Sequence, residues 1–124
     1  MSANNGIPEI PGVDVADGLA RVQGNATLYK KLLLMLVTKT EAELARYAET
    51  APDEANRMAL HDFAHKHKGG AANLSAVRLA QAVTAYDDLV RNPDIPFAQA
   101  LEALPAYLDA CRDFIDNTKK AFGV

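Results

Sequence analysis

The chain has no tryptophan, a single cysteine, and only four phenylalanines and four tyrosines. One thiol, Cys111, cannot close an intramolecular disulfide, so stability must come from a packed core, and a reducing compartment suits the chain. Positive charge is not in excess: 13 Lys and Arg stand against 16 Asp and Glu, a net charge of −3. That balance gives no electrostatic footprint for nucleic acid. The longest strongly apolar run, Leu32 to Val37, falls far short of the roughly 20 residues that span a bilayer. Met1 to Pro11 has neither a basic end nor an apolar stretch, so it does not read as a secretory signal. Internal repeats and low-complexity tracts are absent. The expectation is one globular domain in the cytoplasm, standing alone or within a longer protein whose other parts sit in a membrane.

What the chain does have is 49% apolar residues against 23% charged ones, a balance that permits a packed core. Alanine and leucine abound, which favours helices. Residues 1–12 hold Gly6, Pro8, Pro11 and Gly12 and read as a loose lead-in to a domain over 13–124. Asp14 can cap a short helix over Val15 to Gln23, with Asp17 in capping-box position. Asn25 can cap a second helix from about Ala26 to Glu49, whose core stripe is Tyr29, Leu33, Leu36, Thr40, Leu44 and Tyr47. Pro52 suits the first turn of a third helix reaching Asn73. Ser75 can cap a fourth, ending near Arg91, with Ala76, Leu79, Val83, Tyr86 and Val90 inward.

A fifth helix is expected with Pro96 in its first turn, its stripe running through Phe97, Leu101, Leu104, Leu108, Cys111, Ile115, Thr118 and Phe122. Pro105 falls inside it, where proline costs roughly 3 kcal/mol. The stripe continues on both sides, so one kinked helix is expected rather than two. Four long amphipathic helices with short connections can hide their stripes only against each other. The fold expected is all-α, an antiparallel four-helix bundle with a short additional N-terminal helix.

The chemistry concentrates between Ala64 and Leu74. At about 100° per residue, Lys68 and Gly69 lie one turn beyond His65 on the same face, and Ala72 lies two turns on. His61 and Met58 lie one and two turns before it. Leu60, Phe63, His67, Gly70 and Leu74 form the opposite, core-facing stripe. A neutral imidazole is available near pH 7 and can attack an activated phosphoryl group. Lys68 would set an ammonium beside the added oxygens. Gly69 would leave room for them and for an incoming active site. Glycine in a helix interior costs about 1 kcal/mol relative to alanine, so Gly69-Gly70 calls for a reason.

The pattern His65-x-x-Lys68-Gly69, then Ala71-Ala72-x-Leu74-x-Ala76, resembles the signature of histidine-containing phosphotransfer (HPt) domains of bacterial multistep phosphorelays. The stretch from Asp14 through Gly18, Leu19, Arg21, Gly24 and Asn25 to Leu32-Leu33 resembles their beginning, so the likeness spans roughly residues 13–121. It implies that His65 is phosphorylated, that Lys68 stabilises the phosphoryl group, and that Gly69 gives it space. It implies no kinase activity and no cofactor in this chain, with Mg2+ held by the partner. The partners implied are receiver domains of a hybrid histidine kinase or a response regulator, docking around Met58, His61, Asp62 and Ala72. The chain would act as a monomer, without nucleic acid or direct membrane contact, on its own or as a domain of a membrane-bound hybrid sensor kinase. Two positions depart from the pattern: His67 where leucine is usual, and Ser75 where glycine is usual.

Helical register separates the three histidines. Only His65 has lysine three and glycine four residues on, and it faces away from the core stripe. His67 is expected to be a hydrogen-bonded, neutral core-edge residue. His61 and His65 have the i,i+4 spacing of metal ligands, but Asp62 points about 60° away and His67 to the far side, so no compact set and no metal site is expected. Lys66 and Asp62 read as solvated helix charges, and Cys111 as an inert buried thiol. The rival reading is a non-catalytic helical adaptor that binds a receiver or kinase.

Overall fold

The computed structural model describes residues 4–124; the first three residues of the expected lead-in lie outside them. Among the described residues there are helices and no strands. Six helices follow in order: α1 (Val15–Arg21), α2 (Ala26–Glu49), α3 (Arg57–Asn73), α4 (Val77–Val90), α5 (Phe97–Ala100) and α6 (Leu104–Phe122). The four long ones close a ring: α2 packs on α3, α3 on α4, α4 on α6, and α6 back on α2. Short connections between packed neighbours make this an antiparallel four-helix bundle, with α1 against α2. No described helix is long and apolar enough to cross a membrane.

The expected caps open the first two helices. The Asp14 side chain accepts from the Asp17 amide at 3.1 Å, and Asn25 accepts from the Leu28 amide at 3.1 Å. Asp17 does not complete a capping box. The Asp14 amide donates instead to the Ser75 carbonyl, and the Asp17 carboxylate takes the Ser75 hydroxyl at 2.5 Å and the Arg21 guanidinium at 3.0 Å. These two donors, Ser75 first, hold the Asp17 carboxyl below the usual range. α1 ends at Arg21, two residues earlier than expected, and Gln23 and Gly24 follow in left-handed geometry. Gly18 lets α1 approach α2: a Cβ there would stand 2.2 Å from the Tyr29 hydroxyl, which itself donates to the Leu74 carbonyl at 2.7 Å. Before α1, Ile7 and Ile10 are buried in the core, so residues 4–12 are tied down more firmly than their glycines and prolines suggest.

Three expected boundaries are corrected. Pro52 does not open α3; Asp53 caps a 3-10 turn over Glu54–Asn56, and α3 starts at Arg57. Ser75 does not cap α4, whose N-cap is Ala76 without a side-chain bond. Ser75 is buried at φ 58°, the left-handed region that favours glycine, and its hydroxyl is committed to Asp17. The expected single kinked helix is two, α5 and α6, joined by a 3-10 turn over Leu101–Ala103. Pro105 then falls in the first turn of α6, where an amide would have no helical partner and proline is tolerated.

The 3-10 turn winds tighter than an α-helix, advancing the helix face by about 60° over three residues. Tyr107, Ala110, Cys111, Phe114, Ile115 and Thr118 form the buried face of α6, while Leu104, Leu108 and Phe122 sit at its edge. Burial pushes the Cys111 thiol up to about 12, so it stays protonated.

Candidate functional site

α3 is pinned at its start. The Arg57 guanidinium donates to the carbonyls of Val90 (2.6 Å), Leu89 (3.1 Å), Asn92 (2.7 Å) and Ile95 (2.7 Å). It thereby satisfies the carbonyls left open at the C-terminal end of α4, where a cation is favoured. On its inner side α3 buries Leu60, Ala64, His67 and Ala71. Gly70 brings α3 against α2, with Leu36 3.5 Å from where its Cβ would be. These anchors fix which residues α3 turns outward.

His65 is exposed, and so are Met58, Asp62, Gly69 and Ala72, while His61 and Lys68 are half-buried. A Cβ on Gly69 would meet nothing within 4 Å, so the space beside His65 is open. Met58 and Ala72 lie seven residues to either side, about 10 Å along the axis. Ala72 also forms part of a shallow, largely apolar groove of about 530 Å³ between α1 and α4, together with Val77, Ala80 and Thr84. The expected site residues therefore share one face of α3.

The sequence reading missed Asp87. It comes from α4, is fully buried, and reaches the His65 face from below. Its Oδ1 accepts from His61 Nδ1 at 2.6 Å, and Oδ2 lies 3.7 Å from the Lys68 ammonium. Oδ2 has no hydrogen-bond donor among the described residues. One carboxylate thus ties down the residues four before and three after His65. The His61 and His65 rings are 5.8 Å apart between centroids and tilted by 43°. The only sequence signal was an acidic residue beside the inward Tyr86, and nothing near position 87 connects it to position 65. Arg57 gave no signal either.

His67 points the other way. It is 6% exposed, with Nε2 2.8 Å from the Thr40 hydroxyl and Nδ1 2.5 Å from the Tyr107 hydroxyl. Burial lowers its pKa to about 4, so it is neutral near pH 7. Among the described residues, no group of three His, Cys, Asp or Glu side chains is placed to hold a metal ion.

An exposed imidazole thus stands between two tethered polar side chains on α3 of the four-helix bundle. The family model for the Hpt domain matches residues 31–120, and the chain belongs to that family. Its general role is that of a histidine phosphocarrier in phosphorelay signalling, not a kinase. No curated protein and no solved structure matches the chain.

Proposed function

We propose that His65 accepts a phosphoryl group from an aspartyl phosphate on a receiver domain and passes it to the aspartate of another. The observation that carries this reading is the exposure of His65 on α3 beside the open space at Gly69. A lone pair on the imidazole attacks phosphorus, the acyl P–O bond breaks, and the electron pair leaves with the partner's carboxylate. Lys68 is near enough to turn from Asp87 toward the incoming oxygens, where a charge-assisted hydrogen bond is strong.

This chain supplies no cofactor in the proposal; the Mg2+ belongs to the receiver's own site. Met58, Asp62, Ala72 and the groove beyond it form the surface on which the receiver, of a hybrid histidine kinase or a response regulator, docks. Exposed apolar side chains such as Met58, 67% exposed, suit such a transient partner. The chain works as a monomer, in the cytoplasm.

The test is incubation with a receiver and a small phosphodonor, followed by mass spectrometry. One acid-labile phosphoryl group is expected on His65. His65→Gln abolishes the labelling and His67→Gln retains it. Labelling that survives in His65→Gln overturns the assignment.

A further inference from the structure

Asp87 is an expensive residue in its place. A buried carboxylate is costly unless charges or donors face it, and the core around it would be served by an apolar side chain. Both of its oxygens turn to α3, to His61 and Lys68. The neighbouring acid, Asp88, is spent on Arg91 at 3.0 Å, and Asp62 and Lys66 are exposed to solvent on α3.

A carboxylate only accepts, so His61 Nδ1 donates to Asp87, which in the neutral form of the ring leaves Nε2 as an acceptor. The other ring beside it is that of His65. We propose that Asp87 and His61 form a positioning relay that sets the tautomer of His65. The proposal rests on the reading of His65 as the phosphorylated residue.

In this relay the His65 nitrogen nearer His61 carries the proton and donates it to His61 Nε2, after a small ring rotation or through one water. The other nitrogen then holds the lone pair, directed outward to the partner. When that lone pair forms the N–P bond, the acyl P–O bond breaks and its electrons leave on the partner's aspartate. The positive charge arising on the His65 ring is shared through its N–H with His61 and, through it, with Asp87. No proton has to leave. The reverse transfer runs through the same arrangement. Lys68 cannot take the place of His61, because an ammonium donates and does not accept.

The decisive measurement is the ring-nitrogen NMR spectrum of the full chain, read together with the rate of transfer from a phosphorylated receiver. The wild type is expected to show His65 in one tautomer. Asp87→Asn removes the charge, mixes the His65 tautomers and slows transfer at least tenfold. His61→Asn keeps a donor for Asp87 but lacks the far nitrogen, so it preserves the melting temperature and gives the same loss. Because it does not leave Asp87 unpaired, it decides the matter if Asp87→Asn fails to fold. A purely structural Asp87 would change melting alone. Unchanged tautomer and rate in folded His61→Asn overturn the relay and leave His65 as carrier. Labelling retained in His65→Gln overturns the underlying reading instead.

Discussion

His65 and His67 stand two residues apart on α3 and therefore about 200° apart around its axis. One faces solvent beside an open space, with His61, Lys68 and Asp87 on its flanks. The other is enclosed between Thr40 and Tyr107, both ring nitrogens engaged. The same side chain is thus a solvent-facing ring in one setting and a neutral core strut in the other. Exposure and hydrogen-bond partners separate the two, not the residue type.

The sharpest way to break that comparison is to remove each ring in turn: complete loss of labelling is expected for His65→Gln and none for His67→Gln. Acid should act on the buried ring. Its pKa is about 4 in the fold against about 6.5 unfolded. The unfolded chain therefore binds more protons between these values, and stability falls as pH drops from 6.5 toward 4. The contribution is on the order of 3 kcal/mol, present in full above pH 6.5. Urea denaturation at pH 7 and pH 4.5 measures it, and His67→Leu should lack this component. A pH-independent difference between the two proteins would contradict the assignment.

At pH 7, His67→Leu is expected to cost about 2 kcal/mol, because it leaves two buried hydroxyls short of a partner. Adding Thr40→Val and Tyr107→Phe should recover most of that loss, which chemical denaturation of the triple variant would show. The smallest effect belongs to the exposed face. Gly69→Ala places a methyl in open space and should raise stability by about 0.5–1 kcal/mol. The bulkier Gly69→Leu should keep the fold but slow transfer by crowding the incoming partner. Equal transfer rates for wild type and Gly69→Leu would remove the role given to Gly69.

Much of this was legible along the chain. The stripe of α2, the caps at Asp14 and Asn25, the inward turn of His67 and the outward turn of His65 all follow from periodicity and local hydrogen bonding. The missed features are of another kind. Ser75 is a good cap by type, but the chain needs a left-handed residue there to turn α3 into α4. Pro105 was read against a continuous stripe, and the 3-10 turn before it moved the helix face and brought Tyr107 into the core. Glu43 is buried between stripe positions, with Arg46 3.3 Å away.

The sequence alone determined the helical class, the bundle and the outward turn of His65, because helical phase is a local property repeated every 3.6 residues. Only the tertiary structure decided the company His65 keeps. Arg57 reaches the end of α4, and Asp87 reaches back from α4 to His61 and Lys68. Such pairings join residues 19 to 33 positions apart. They arise from the way two helices are packed, which no local pattern in the chain records.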